Sequence, residues 1–352
     1  MAMTNLPEIF SIFNVVRIFA VLTVSFFITL LVTPLWTSLL HQHKAGKNLR
    51  DFSAAPVFHE LHKHKEGTPT MAGVLIWGTV ALLTVALWPT QYGFFSRAQT
   101  WLPWGIMILA GMLGFIDDAY GVLRKGPNGG GLHMKLRFGL YLVIAAIGAW
   151  WFYAKLEFSS INVPFLGDVQ VGWWYVPFFM LVIIATAFSA NETDGLDGLA
   201  AGVFLTTFAA YGAIAFDQGK MDLAVFIAAI IGALVAFLWF NIFPARFFMG
   251  DTGSMSLGVV LGVIAMLTNT PLLLIPIGCI FVFESLSVIV QLLSKKLYGK
   301  KIFLSTPIHH HFEAKGWHET KVTMRFWMVS AIGAILGLII FLIDSKIPSL
   351  LK

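Results

Sequence analysis

This sequence predicts an all-α, polytopic integral membrane protein, and three observations carry the prediction. Of its 352 residues 58% are hydrophobic and only 12% charged, with a mean hydropathy of +0.81, a balance foreign to a water-soluble domain of this size. Apolar runs recur along the whole chain, most near the ~20 residues that cross a ~30 Å hydrocarbon core. Lysine and arginine crowd into alternate connections between those runs.

About ten helices follow, in order. The first, 17–40, is preceded by a single Arg and is long enough to span by itself, so the chain is expected to insert whole, with no cleaved leader. The second, 70–88, opens behind Thr-Pro-Thr, with Pro69 near the first turn. The third, 101–116, runs into "GFIDDAYG", and the fourth, 138–153, follows the glycine-rich turn "GPNGGG". "INVPFLGDVQVGW", 161–173, reads as a small hairpin ahead of the fifth, 173–188. The sixth and seventh, 199–216 and 221–243, stand behind "NETDGLDG"; the eighth, 256–268, stands behind "MGDTGS". The ninth, 271–293, carries Glu284 in its middle, and the tenth, 326–343, follows "TPIHHHFEAKGW". With no repeat and no low-complexity segment, residues 1–352 form one transmembrane domain.

The connections after the odd-numbered helices, about 41–69, 117–137, 189–198, 244–255 and 294–325, hold 17 of the 23 basic residues. Short basic loops stay in the cytoplasm, so both termini are expected outside and these five connections inside. The net charge of +5 is used up by that asymmetry, and nothing suggests a nucleic-acid partner. Cys279, the single cysteine, excludes a disulfide framework and a thiolate metal site and reads as a small core residue.

The same parity gathers Asp117, Asp118, Asp194, Asp197 and Asp251 on the cytoplasmic face. The connection after helix five has three acids and no base, so a cation must neutralise it. Helices three and five are short, which sets their acidic ends near headgroup depth, where ionisable groups face the protein interior or a wet cavity. Carboxylate oxygens that handle phosphate are the usual home of Mg²⁺. The adjoining glycines let backbone approach a ligand, and the helix starts behind them offer N–H groups to phosphate. Three consecutive histidines at 309–311 do not all ligate one ion from a regular helix, and a phosphate role is favoured over zinc. Lys65 serves equally as an orienting charge or a substrate contact, and Lys295, Lys296, Lys300 and Lys301 read as orienting charges. Glu284, costly at mid-membrane by roughly 2.5 kcal/mol or more, should pair within the bundle.

Taken together, "EGTPTMAG", "GFIDDAYG", "NETDGLDGLA", "NIFPARFFMGDTGS" and "TPIHHHFEAKGW" resemble the signature of the polyprenyl-phosphate N-acetylhexosamine-1-phosphate transferases, from about Lys65 to Trp327. The first and last of these most resemble the branch that uses UDP-N-acetylmuramoyl-pentapeptide. The resemblance implies attack of undecaprenyl phosphate on the β-phosphate of that donor, with release of UMP, in a bacterial cytoplasmic membrane and by a homodimer. It implies Asp251 as a direct Mg²⁺ ligand, with Asp117 and Asp118 beside the metal and the lipid phosphate and Asp117 open as a base. It places Asn191, Asp194, Gly195 and Asp197 around nucleotide and metal, Phe248 on the uracil, and Lys65 and Asn241 on the nucleotide side. His309, His310 and His311 fall near the pyrophosphate, His309 foremost, with Lys125 and Arg137 as phosphate contacts. Gly121, Phe188 and Glu192 depart from the pattern, which usually has Lys, Asn and an apolar residue there. Two other readings compete: a sister transferase using UDP-N-acetylglucosamine, and a lipid-linked-sugar or cation transporter, which should hold its acids near the midplane.

Overall fold

The computed structural model describes residues 12–46, 65–125 and 131–350. Most of the first connection and Gly126 to Gly130 of the glycine-rich turn lie outside them. The described chain is helical but for one two-stranded ribbon, and it passes up and down in the predicted order: α1 (Ile12–Gln42), α2 (Val74–Leu87), α3 (Trp101–Val122), α4 (Met134–Trp150), α5 (Tyr175–Thr193), α6 (Leu199–Asp217), α7 (Met221–Asn241) and α8 (Gly250–Leu267). It continues through a short α9 (Leu274–Ile277), α10 (Cys279–Tyr298), a short α11 (Ile308–Ala314) and α12 (Glu319–Leu350). Strands β1 (Ser160–Val163) and β2 (Gly167–Gln170) pair antiparallel, as the expected hairpin.

Eight helices among the described residues are long and apolar enough to cross a membrane. The expected ninth helix, continuous over 271–293, is instead broken: Pro271–Ile277 and Cys279–Tyr298 meet at Gly278 with an 88° bend, and counted as one span they bring the total among the described residues to nine. The second expected span shrinks to the 14 residues of α2, about 21 Å at 1.5 Å per residue. The outer helices α1 and α12 turn large apolar side chains such as Phe19, Leu31, Leu35, Met328, Ile332 and Leu336 outward, as a bundle solvated by hydrocarbon does. The protein is an all-α polytopic membrane protein.

The core sits around α8, in which every residue except Asp251 is buried. Small residues bring its neighbours onto its backbone. A Cβ on Gly114 of α3 would collide with the backbone of Asp251 and Thr252, and Gly258 of α8 lies against Ala190 and the Thr186 carbonyl of α5. Hydroxyls then fasten the close crossings: Thr252 Oγ1 donates to the Gly111 carbonyl at 2.8 Å and Ser256 Oγ to that of Met107 at 2.9 Å. Enlarging Gly258 to Ala would overpack this seam at a cost of about 1–3 kcal/mol.

Three of the five aspartates expected in loops are on helices, while Asp194 and Asp197 stay in the connection after α5. Asp117 and Asp118 lie inside α3 and Asp251 in the first turn of α8; the amide of Asn191, expected in the same connection as Asp194, is likewise inside α5. Loss of hydrophobicity marked the end of each apolar run, but the backbone ladder continues where the polar side chains find partners inside the protein.

Candidate active site

Asp251 is at the centre of the acid cluster. Gly250, at φ +75°, turns the chain into α8, and a Cβ there would strike Asp118 Oδ2. Asp118 accepts the first N–H groups of α8, Asp251 N at 3.1 Å and Thr252 N at 3.0 Å, two of the donors that every helix start leaves unpaired. Both its oxygens are thereby turned to the helix rather than to the cleft. Asp251 Oδ1 accepts from the Asn191 amide at 2.6 Å, and Asp251 Oδ2 pairs with Arg137 Nη2 at 3.1 Å. The same Nη2 pairs with Asp117, whose other oxygen accepts the Leu132 N–H. Arg137 of α4 thus bridges carboxylates from α3 and α8. The side chain of Asp251 is 23% exposed and that of Asp117 1%, so Asp251 is the carboxylate that a solute reaches. Tyr141, one turn after Arg137, is buried with its hydroxyl unpaired. Lys125 is exposed beyond the end of α3, outside this cluster.

A second network joins three connections. Lys65 Nζ, buried, contacts Asp197 Oδ1 at 2.6 Å and Glu319 Oε1 at 2.5 Å, and Glu319 also accepts the Asp197 N–H at 2.6 Å. Asp197 Oδ2 takes the Ala245 N–H at 2.9 Å. Asn241 accepts from Gly198 N at 3.1 Å and donates to the Phe247 carbonyl at 2.8 Å, bracing the turn before α6 against the one before α8. The half-buried Phe248 ring lies 5.9 Å from Lys65 Nζ. Asp194 stands at the C-terminal end of α5, its N–H donating to the Asn191 carbonyl. Taking either partner from the buried Lys65 pair should cost about 3–5 kcal/mol, since the other charge is left without compensation.

The histidines occupy α11 and point three ways. His309 is wholly buried, its Nδ1 3.0 Å from Glu284 Oε2 of α10, with Nε2 facing Gly195. A Cβ on Gly195 would overlap that ring. Burial opposes charge on His309, but the Glu284 carboxylate outweighs it and holds the pKa above the ordinary histidine range. His310 pairs with Glu313 at 2.7 Å on its own helix. His311 Nδ1 accepts the Leu304 N–H at 3.1 Å, and partial burial with Lys315 nearby lowers its pKa.

Glu284 pairs within the bundle as expected of an acid at that depth. Glu319 and Glu313 went unread in the sequence: Glu319 stands 254 residues from Lys65, and no local pattern links them. Among the described residues no three His, Cys, Asp or Glu side chains converge on one point. The carboxylates that share Arg137, Asp251 and Asp117, are oxygen donors drawn to one positive group already. That set fits Mg²⁺, which takes one or two carboxylates and fills its shell with water and substrate phosphate oxygens.

Residues 100–269 match the profile of the family described as glycosyl transferase family 4. Curated relatives extend the likeness over nearly the whole chain. A Geobacillus thermodenitrificans protein is 38% identical over 321 residues, covering 91% of this chain and 96% of its own. One from Listeria monocytogenes is 39% identical over 333 residues, 93% of this chain and 98% of its own. One from Acetivibrio thermocellus is 39% identical over 338 residues, 95% and 96% respectively. Each carries the name phospho-N-acetylmuramoyl-pentapeptide-transferase.

Proposed function

The chain belongs to the phospho-N-acetylmuramoyl-pentapeptide transferase family, and from that premise we propose how its residues divide the reaction. The protein is a transferase of peptidoglycan synthesis that moves phospho-N-acetylmuramoyl-pentapeptide from a UDP-linked donor to a lipid phosphate. In the reading proposed here the acceptor is undecaprenyl phosphate. An oxygen of that phosphate attacks the β-phosphorus of the donor, the bond from the β-phosphorus to the bridging oxygen breaks, and UMP leaves with the pair of electrons. Asp251 and Asp117 would hold Mg²⁺, which would neutralise charge between the diphosphate and the attacking phosphate. Arg137 contributes a second fixed positive group to the same place. Asp117 also holds Arg137 in place, and Asp118 acts by fixing the start of α8. A lipid phosphate with a second pKa of about 6 attacks without a protein base.

The donor's uridine lies on the second network, its ring over Phe248 and its edge toward Lys65, Asp197 and Asn241; Asn191, Asp194 and Gly195 flank the diphosphate, and His309, His310 and His311 approach it from α11. Lys125 meets the lipid phosphate from outside the cluster. The protein works as a homodimer in the bacterial cytoplasmic membrane, with this end of the bundle in the cytoplasm. The observation that carries the reading is the Asp117–Arg137–Asp251 bridge at the start of α8. It places charge for phosphoryl transfer at one end of the bundle, where a transporter would hold it near the midplane. Purified protein given undecaprenyl phosphate and each UDP-sugar in turn tests the substrate: UMP should appear with the muramoyl-pentapeptide donor. Release from UDP-N-acetylglucosamine alone would assign the sister chemistry instead.

A further inference from the structure

The histidine at the start of α11 and the glutamate in the middle of α10 form a unit that the transfer described above leaves unexplained. Glu284 and His309 are both 0% exposed, which for a carboxylate inside an apolar helix demands compensation. The compensation is specific: Glu284 Oε2 meets His309 Nδ1 at 3.0 Å and faces the His309 backbone N–H at 3.5 Å. At the other side of the ring Nε2 is buried without a hydrogen-bond partner. It is aimed at Gly195, in the turn between α5 and α6, where any Cβ would displace it. The neighbouring histidines differ. His310 is engaged by Glu313 within one helical turn, and His311 accepts a loop N–H. Only His309 is gripped by a carboxylate of another helix while offering an unused nitrogen to the substrate turn.

We propose that Glu284 is a positioning residue for His309, holding the imidazole by Nδ1 so that Nε2 is presented at the Gly195 turn as a hydrogen-bond donor to a phosphate oxygen of the nucleotide donor. The proposal deepens the functional reading and rests on it. With Nδ1–H committed to a carboxylate, Nε2 carries a proton only when the ring is an imidazolium. Glu284 favours that form, and the charges of Glu313 and Glu192 act in the same direction. An imidazolium next to a diphosphate supplies a charge-assisted hydrogen bond, stronger than a neutral one. Because the ring is closed off from bulk water, its orientation and charge are set by Glu284 rather than by solvent.

The test compares Glu284→Gln, Glu284→Asp and His309→Gln, alone and combined. Glu284→Gln keeps the shape and removes the charge; turnover at neutral pH should fall about 10- to 100-fold, the range seen for partners that orient a working group. The high-pH limb of its rate profile should move to lower pH, and activity should recover on acidification. Glu284→Asp should retain the wild-type limb at reduced rate, which a fold defect would not reproduce. The double variant Glu284→Gln with His309→Gln should be no slower than His309→Gln alone. A wild-type pH profile in Glu284→Gln, or multiplicative losses in the double variant, would overturn the proposal. Imidazole ¹⁵N shifts of His309 in substrate-free protein give a readout independent of turnover: they should report a lower pKa in Glu284→Gln, and an unchanged value would also overturn it. If the wild type released no UMP from the muramoyl-pentapeptide donor, the functional reading would fall while the ¹⁵N comparison still decided the role of Glu284.

Discussion

The two ends of the bundle both bury charge and treat it differently. At the end away from the aspartates, Arg17 is buried yet satisfied by the Gly93 and Tyr92 carbonyls and by Asp222 at 2.7 Å. Lys220 donates to the Leu267 carbonyl and to Gln218, both at 2.7 Å. The ribbon is strapped down by Asp344 on Phe165 N–H and by Asn269 on Asp168. Among the described residues the buried atoms left unpaired there are neutral ones, on Ser96, Trp104, Trp151 and Tyr175. At the aspartate end the unpaired atoms include Arg137 Nε, Glu284 Oε1 and His309 Nε2, with the hydroxyls of Thr70 and Tyr141. Each such group costs about 1–3 kcal/mol. One end is a fastening whose charged groups are already satisfied, and the other leaves charged donors and acceptors without protein partners.

That contrast can be broken by substitution. Asp251→Asn should show the largest effect, a loss of about 10³-fold in UMP release with an unchanged melting temperature, because the residue is the one member of α8 that solvent reaches. Arg137→Met should lower kcat by about 10²-fold, because one guanidinium serves both carboxylates. Lys65→Met should act on both properties, raising KM for the nucleotide donor and lowering stability by about 3–5 kcal/mol in thermal melts.

Much of this was legible in the sequence and some was not, for identifiable reasons. Apolar runs of near-spanning length gave the helices, and counting them gave the parity that unites Asp117, Asp197 and Asp251. Apolar content stops short of the true helix ends, which backbone hydrogen bonding sets: α3 continues through Asp117 and Asp118 to Val122. The break at Gly278 had no signal stronger than a single glycine within an apolar run. Pairings such as Lys65 with Glu319 and His309 with Glu284 are set by the packing of whole helices, so spacing along the chain carries no trace of them. The depth of Glu284 did announce that it needed a partner.

At the fastening end the effects should be smaller and confined to stability. Arg17→Gln should lower the melting temperature by an amount worth about 1–3 kcal/mol and leave kcat unchanged. Lys220 should show the least. Burial lowers its pKa from 10.5 to about 8, so between those values the unfolded chain binds more protons than the folded one and stability rises with pH. Melts between pH 8 and pH 10 should show that rise in the wild type and its absence in Lys220→Met. A loss of turnover from either far-end variant, with folding intact, would sharpen the contrast in the opposite direction by tying that end to chemistry.

The central claim is that the carboxylates joined by Arg137 hold a divalent cation for phosphoryl transfer. Mg²⁺ titration of UMP release, in wild type and Asp251→Asn side by side, tests it most directly. Turnover should be abolished by chelation, restored by Mg²⁺ in the wild type, and remain about 10³-fold lower in the variant at saturating metal. Release at the wild-type rate without a divalent cation, or by Asp251→Asn, would contradict the account.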